Sequence, residues 1–322
     1  MRYGLPYKGS KNAIAEFIVD NLPRAHTFCD LFFGGGAITH RALLSRKYEQ
    51  FIVNDIDGRL PKFFLDCAHG KYTTENHREW VTREMFEAHK HDDAYIALIW
   101  SFGNNGKDYL YGRDIEDMKH AYHRAVYEND LDGLAEYGIK LMLSRKPKVY
   151  DRYLDYQRQI KQQKPDVRTE LENIERYQTV ERLENIERYQ IVERLESLYR
   201  LQSLQSLQSL QRDYQRVPIP EGALIYCDPP YAETNCGKYD GFDSERFYEW
   251  ADRQDNIFIS EYTMPDNFIP IAEIEKPILS TANGTTKKAV ERLYTNERTW
   301  AAMDDDTRMM YRCNRAEQLS LW

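Results

Sequence analysis

The 322-residue sequence lacks the features of several large protein classes. No stretch approaches eighteen consecutive apolar residues, and the N-terminal segment MRYGLPYKGSK has no apolar run behind its charges, so neither a membrane span nor a secretory signal is predicted. The five cysteines are scattered and form no CxxC pair or Cys/His cluster with zinc spacing. We therefore expect a soluble, cytoplasmic protein with reduced thiols and no metal.

Positive charge is also scarce, since the formal net charge is −8, which disfavours a purely electrostatic nucleic-acid binder. Residues 140–164 are the exception, with eight basic residues, two acidic ones and the interleaved Tyr150, Tyr153 and Tyr156. Basic side chains neutralise phosphates and tyrosines stack on bases, although many basic helix faces are only solvated. The residues predicted to contact DNA here are Arg145, Lys146 and Lys148.

A strand, a glycine turn and a helix follow one another near the N-terminus. Residues 26–31 (HTFCDL) predict a short buried strand, residues 32–36 (FFGGG) a tight turn, and residues 37–44 (AITHRALL) a helix. A second strand, residues 51–53, ends in an acid, Asp55, about 20 residues after the glycines, where doubly wound folds bind ribose hydroxyls. Thr39 stands where a dinucleotide fingerprint needs its third glycine, which favours a cofactor such as S-adenosylmethionine over NAD.

Residues 224–231 (LIYCDPPY) predict a strand that stops at a stiff corner. Prolines end the sheet ladder, and the residue before each proline is held extended. Asp228 is an acceptor-only carboxylate, the carbonyl of Pro229 has no expected ladder partner, and Tyr231 offers a flat ring. A planar amine fits such a corner, because the two oxygens accept its N–H groups while the ring stacks on its face.

Four segments together resemble the motifs of Dam-type (D12 class) DNA adenine-N6 methyltransferases, in which an FxGxG motif, a target-recognition region and a DPPY motif follow in order. In this chain the segments are Tyr7-Lys8-Gly9-Ser10-Lys11, Asp30-Leu31-Phe32-Phe33-Gly34-Gly35-Gly36, Asn54-Asp55-Ile56-Asp57 and Asp228-Pro229-Pro230-Tyr231. Residues 101–106 (SFGNNG) also resemble the start of the family's recognition region, and residues 257–262 (IFISEY) its strand after DPPY.

The resemblance implies a Rossmann-like α/β methyltransferase that moves a methyl group from S-adenosylmethionine to N6 of a flipped adenine in duplex DNA, without a metal. The implied catalytic residues are Asp228, Pro229, Pro230 and Tyr231. The implied cofactor-binding residues are Tyr7, Lys11, Asp30, Phe32, Gly34, Gly36, Asp55 and Asp228. Further residues expected at the DNA are Asn104, Asn105, Lys107 and Arg113.

Three alternatives to adenine methylation differ in how well the residues fit them. Amino-N4 cytosine chemistry uses the same corner with a smaller base and stays open. Carbon-5 cytosine chemistry needs a thiolate, whereas Cys227 is expected to pack in the core at the end of a buried strand. A catalytically silent DNA-binding or anti-restriction protein is a different class of function, and the intact residues 228–231 argue against it.

The middle of the chain contains a tandem repeat. Residues 171–182 (LENIERYQTVER) recur as 183–194 (LENIERYQIVER), and apolar residues continue at a spacing of three to Leu210. Strong helix formers without Gly or Pro predict one helix about 60 Å long, interpreted as a solvent-exposed insertion. Self-association through residues 171–211 is a further possibility.

The predicted organisation is a catalytic domain formed by residues 1–58 and 216–322, with residues 59–215 inserted as a mainly helical target-recognition region. Other predicted elements are a helix over residues 12–19 capped by Ser10, a helix over residues 244–253, a strand over residues 257–260, and a hairpin of residues 277–281 and 289–294.

Overall fold

The computed structural model of the protein describes residues 3–162, 182–230, 242–279 and 286–320. Its strands are β1 Thr27–Asp30, β2 Gln50–Asn54, β3 Leu207–Leu210, β4 Leu224–Cys227, β5 Ile257–Glu261, β6 Phe268–Leu279 and β7 Thr286–Asn296. Its α-helices are α1 Ala15–Asn21, α2 Ala37–Ser45, α3 Arg59–Ala68, α4 Arg83–His89, α5 Ala94–Ile99, α6 Glu116–Glu128, α7 Asp132–Ala135, α8 Val149–Gln162, α9 Glu184–Glu193, α10 Gln202–Gln205, α11 Ser244–Ala251, α12 Glu297–Ala302 and α13 Asp305–Ser320. Short 3₁₀ segments span Lys11–Ala13, Phe102–Asn104, Arg194–Arg200 and Tyr214–Arg216. Among the described helices, none is both long enough and apolar enough to cross a membrane.

The seven strands form one sheet in the order β3-β2-β1-β4-β5-β7-β6. Strands β3, β2, β1, β4 and β5 pair in parallel, whereas β7 is antiparallel to both β5 and β6. The chain order reverses between β1 and β4, and open α/β sheets bind their ligands beyond the carboxyl ends of the strands at such a point. The Rossmann-like α/β fold predicted from the sequence is therefore confirmed.

The central strands are apolar because both faces of the sheet are covered. Every residue of β1, β4 and β5 is buried, as is all of β2 except Gln50. On one face Cys29, Ile52 and Ile259 pack with Phe247 of α11. Near-continuous burial is typical of parallel strands that are covered on both faces.

The chain divides into two compact units. The first comprises Met1–Gly4, Ser10–Lys62 and Leu198–Trp322 and contains the sheet, whereas the second comprises Leu5–Gly9 and Phe63–Ser197 and is mainly helical. The sequence predicted boundaries at residues 58 and 216 instead. The assignment of the second unit to target recognition stays a prediction.

The prediction of one long helix over residues 171–210 is wrong where the structure describes that stretch. Residues 182–210 form α9, a 3₁₀ segment, α10 and then β3, which pairs with β2 at the edge of the sheet. The interpretation as a solvent-exposed insertion is also wrong there, because a row of its apolar residues is fully buried. That row consists of Leu183, Ile186, Tyr189, Val192, Leu195 and Leu198, each 0% exposed. Residues 171–181, which hold most of the first copy, lie outside the described residues.

Other predicted elements are present with shifted ends. Ser10 caps a 3₁₀ turn, accepting a hydrogen bond from the N–H of Asn12, and the α-helix begins only at Ala15. The C-terminal hairpin is longer than predicted, since β6 and β7 pair from Phe268↔Asn296 to Leu279↔Thr286.

Candidate functional site

The glycine turn after β1 is held to the end of β2 by Asp55. The backbone N–H of Gly34 donates to Oδ2 of Asp55 at 2.7 Å, and the N–H of Asp57 donates to Oδ1 at 2.9 Å. Gly34 and Gly36 both adopt positive φ, at 50° and 67°. A Cβ on Gly36 would lie 2.3 Å from Cζ of Phe33, so this position accepts only glycine without rearrangement.

Asp55 is thus a buried carboxylate that fixes the turn, and it stands at the end of β2 where an acid was predicted to bind ribose. Next to it, the side chain of Ile56 is 65% exposed, while Asp57 forms a two-point ion pair with Arg59. The ribose-binding role of Asp55 stays a prediction. The sequence analysis did not single out the exposed Ile56, because in the sequence it is one apolar residue within a polar turn.

Asp30 and Thr39 connect β1 to α2. The hydroxyl of Thr39 donates to Oδ2 of Asp30 at 2.6 Å, and both residues are buried. Burial raises the pKa of Asp30 to about 7, with a smaller contribution from neighbouring carboxylates. Thr39, which replaces the third glycine of a dinucleotide fingerprint, therefore connects α2 to the end of β1.

Phe32, predicted to bind the cofactor, is half-buried in an aromatic group of the first unit. Its ring centroid lies 5.4 Å from that of Tyr214, 5.6 Å from Phe247 and 5.8 Å from Phe242. These rings fix the orientation of Phe32 at the start of the turn.

The corner after β4 is joined to the N-terminal segment by a buried ion pair. The ammonium Nζ of Lys11 donates to Oδ1 of Asp228 at 2.7 Å, although the two residues are 217 positions apart in the chain. The side chain of Lys11 is 7% exposed and that of Asp228 is 20% exposed. Two residues that the sequence assigned to the cofactor site from separate motifs are therefore in direct contact.

Two acids that the sequence analysis missed complete this cluster. Oε1 of Glu291, on β7, lies 3.5 Å from Nζ of Lys11, and its side chain is only 1% exposed. Glu261 ends β5 and is also buried, and its Oε1 accepts a hydrogen bond from the N–H of Tyr262 at 2.8 Å. Burial raises the pKa of Glu261 to about 8, so this carboxyl is mostly protonated at neutral pH. The available signal in the sequence was an acidic residue within, or directly after, each of two predicted strands.

Three other predicted site residues are less informative. Pro229 is buried and Pro230 half-buried, while Tyr231 lies outside the described residues. Tyr7 is half-buried and belongs to the second compact unit. The catalytic roles of Pro229, Pro230 and Tyr231 and the cofactor role of Tyr7 stay predictions.

Cys227 is packed in the core of the sheet, as predicted. It is 0% exposed, and burial raises the pKa of its thiol well above the ordinary value. A thiol held in its protonated form is a poor nucleophile, so the cysteine beside Asp228 is unsuited to carbon-5 cytosine chemistry.

The asparagines predicted at the DNA stabilise their own loop. Nδ2 of Asn104 donates to the carbonyl of Leu98 at 2.8 Å, and Nδ2 of Asn105 donates to Oδ2 of Asp108 at 2.7 Å. Oδ1 of Asn105 also accepts hydrogen bonds from the N–H groups of Lys107 and Asp108. The side chains of Lys107 and Arg113 are exposed, as phosphate-binding side chains need to be.

The basic segment is exposed in part, and its tyrosines are not available as predicted. Arg145, Lys146 and Lys148 are exposed. Tyr153 and Tyr156, however, are 1% and 0% exposed and form the inner face of α8, so they cannot stack on bases. The aromatic half of the predicted patch is therefore wrong at these two positions, because the helical period of the tyrosines reflects core packing.

Comparison with known families gives a match to part of the chain. Residues 7–95 match the family model described as D12 class N6 adenine-specific DNA methyltransferase. The matched span contains Lys11, the glycine turn and Asp55, and it ends before Asp228. A comparison with curated proteins found no match.

Proposed function

We propose that the protein is a site-specific DNA methyltransferase that transfers a methyl group from S-adenosylmethionine to N6 of adenine in duplex DNA. The D12 class match over residues 7–95 indicates this activity. The observation that carries the proposal is the contact between Lys11 and Asp228, because it joins the matched segment to the Asp-Pro-Pro corner beyond it. The motif order, with the glycine turn before and residues 228–231 after the recognition region, supports the same function.

The residues at the carboxyl ends of β1 and β2 fit S-adenosylmethionine. The glycine turn lies at the carboxyl end of β1, where such folds bind their cofactor, and Asp55 supplies a buried carboxylate at the position for ribose. The residues of the first unit that would hold the cofactor are Lys11, Asp30, Phe32, Gly34, Gly36, Asp55 and Asp228. When bound, the cofactor would supply a methyl group made electrophilic by its sulfonium, without a metal, and would leave as S-adenosylhomocysteine while N6 loses one proton.

Asp228 is the residue that would prepare the amino group of the base. Adenine N6 is a weak nucleophile because its lone pair is delocalised into the ring. A hydrogen bond from N6 to the carboxylate of Asp228, and a second to the carbonyl of Pro229, favours a pyramidal nitrogen with its lone pair available. The ammonium of Lys11 holds the carboxylate in place for this contact.

Access to the base requires the target nucleotide to leave the duplex, as in other enzymes that act on a base. Tyr231 is the residue proposed to stack on the flipped base. Phosphate contacts are assigned to five exposed basic residues of the second unit, namely Lys107, Arg113, Arg145, Lys146 and Lys148. With Asn104 and Asn105, they make the second unit the proposed target-recognition region.

Methyl transfer from labelled S-adenosylmethionine to unmethylated duplex DNA tests the proposal, followed by digestion to nucleosides and identification of the modified base. We expect label in N6-methyladenine, lost in Asp228→Ala and retained in Asp266→Ala, an exposed acid of the same unit. Label in N4-methylcytosine would contradict the assignment of the base. Absence of label on any DNA, with cofactor binding intact, would favour a silent DNA-binding protein.

A further inference from the structure

We infer that Glu291 is a positioning residue of this site, which holds the ammonium of Lys11 against the carboxylate of Asp228 from β7. Glu291 lies outside the segment that matches the D12 class family and outside the residues 228–231 of the corner. The inference deepens the proposed function and rests on it for the role of Asp228.

The geometry places Lys11 between two carboxylates from different strands. Nζ lies 2.7 Å from Oδ1 of Asp228, which follows β4, and 3.5 Å from Oε1 of Glu291 on β7. Lys11 itself sits in the short 3₁₀ turn Lys11–Ala13, which Ser10 caps. The ammonium of Lys11 is therefore paired with two carboxylates at once, one from the corner after β4 and one from β7.

Stability alone gives little reason for a buried Glu at position 291. Replacing a buried ion pair by well-packed apolar residues is often neutral or stabilising, because the charges lose their hydration on folding. Glu291 is 1% exposed, and Leu293, which lies two residues further along β7 and therefore on the same face of the strand, is apolar and buried. A charged residue at such a position is better explained by the ammonium that it contacts, since Lys11 in turn contacts Asp228.

The charges around Lys11 also keep it protonated. Burial by itself lowers the pKa of the ammonium, but Asp228 and Glu291 more than offset this, so the pKa of Lys11 is raised. Among the described residues, Glu261 and the hydroxyl of Tyr262 are further titratable groups that interact with it. Arg292, which lies opposite Glu261 in the strand register, contacts Glu273 and the carbonyl of Tyr262 instead.

Glu291→Gln is the matched variant, because it keeps the size and hydrogen-bonding oxygen of the side chain and removes its charge. An opposite charge within about 4–6 Å shifts a pKa by roughly 1–3 units, so the pKa of Lys11 should fall by about that amount. ¹⁵N NMR of the lysine ammonium groups measures this without substrate or cofactor, and the signal missing in Lys11→Met identifies the residue. Glu273→Gln removes a half-buried carboxylate that pairs with Arg292 and should leave the titration of Lys11 unchanged.

The same charge loss should appear in methyl transfer as a change in pH dependence. Activity requiring protonated Lys11 would begin to decline at a lower pH in Glu291→Gln than in the wild type. We expect kcat to fall about tenfold or more, with the KM for DNA within about twofold. Glu291→Asp, which restores the charge, should bring the alkaline limb back toward its wild-type position.

The outcomes separate this inference from the proposed function. Unchanged Lys11 titration in folded Glu291→Gln would contradict the positioning role, whatever the activity. A uniform loss of rate at every pH, with Glu291→Asp equally impaired, would also contradict it and indicate a structural role. If the wild type methylates no DNA, the proposed function fails, while the NMR titration still tests the contact between Glu291 and Lys11.

Discussion

At Gly36 an added side chain would meet both an unfavourable backbone conformation and the ring of Phe33. Gly36→Ala combines a left-handed backbone with a clash against Phe33, whereas Gly222→Ala has a similar φ of +72° and nothing within 4 Å of its Cβ. We expect the free energy of unfolding to fall by roughly 1–2 kcal/mol at Gly222 and by roughly 2–5 kcal/mol at Gly36, because overpacking adds about 1–3 kcal/mol. Urea denaturation measures both, and equal losses would contradict the steric explanation.

Asp30 should make stability depend on pH. Its pKa is raised in the folded protein to about 7 from an ordinary 3.8, so between these values the folded state binds more protons than the unfolded state. Its contribution is therefore fully present below pH 4 and is lost as the pH rises toward 7, at up to about 1.4 kcal/mol per pH unit. Asp30→Asn, which can still accept a hydrogen bond from Thr39, should remove the share of this slope that Asp30 contributes, while the share of Glu261, whose pKa is also raised, remains. Denaturant unfolding at several pH values tests it, and an unchanged slope would exclude Asp30 as its source.

At the residue scale, short sequence motifs predicted which residues belong to the site, but they did not predict every residue that these side chains contact. Lys11, Asp55 and Asp228 each stood in a short pattern with a chemical meaning. Glu291 did not, because its significance comes from the antiparallel pairing of β5 with β7, which sets it near Lys11. The tertiary arrangement of distant strands has no local signature in one sequence.

At the scale of elements, the apolar spacing of three in the repeat argues against one long straight α-helix, although the sequence analysis predicted such a helix. On an α-helix this spacing drifts round the axis, so a long straight helix cannot keep it on one buried face. In the structure α9 ends after ten residues, and the chain continues as the 3₁₀ segment Arg194–Arg200. In a 3₁₀-helix, residues three apart lie on one face. Leu195 and Leu198 thereby stay buried with the residues of α9.

The two copies of the repeat lead to a prediction about deletion. Removing residues 171–182 or 183–194 gives chains that differ at one position, Thr179 in place of Ile191, and Ile191 is only half-buried. The two variants should therefore have free energies of unfolding within about 1.5 kcal/mol of each other. The variant that lacks residues 183–194, which keeps the threonine, should be the less stable one. Thermal or urea unfolding of the pair provides the measurement.

The control for packing is Tyr189→Ala in the variant that lacks residues 171–182, and the equivalent change, Tyr177→Ala, in the variant that lacks residues 183–194. Tyr189 is 0% exposed, so truncation should cost several times more than the difference between the deletions, on the order of 3–5 kcal/mol. A large difference between the two deletion variants would show that the copies are not interchangeable.

At the scale of the whole molecule, the net charge of −8 means that DNA binding must depend on local cations. Replacing Arg145, Lys146 and Lys148 together by Ala should weaken DNA binding. It should also reduce the slope of log K against log salt concentration by about 2.7, because each of the three phosphate contacts contributes about 0.9. Arg246, Arg253 and Arg298 changed together to Ala remove the same charge from exposed positions of the first unit. Equal salt slopes for the two triple variants would contradict the assignment of the patch.

The strand pairing also determines when this protein can fold during its synthesis. Phe28 of β1 pairs with Leu224 of β4, about 200 residues later, so the centre of the sheet cannot form until most of the chain has left the ribosome. Phe63–Ser197 is synthesised completely before β4. The residues of the helical unit are therefore available for folding before the sheet is complete, and the contact between Lys11 and Asp228 can form only after residue 228 has been synthesised.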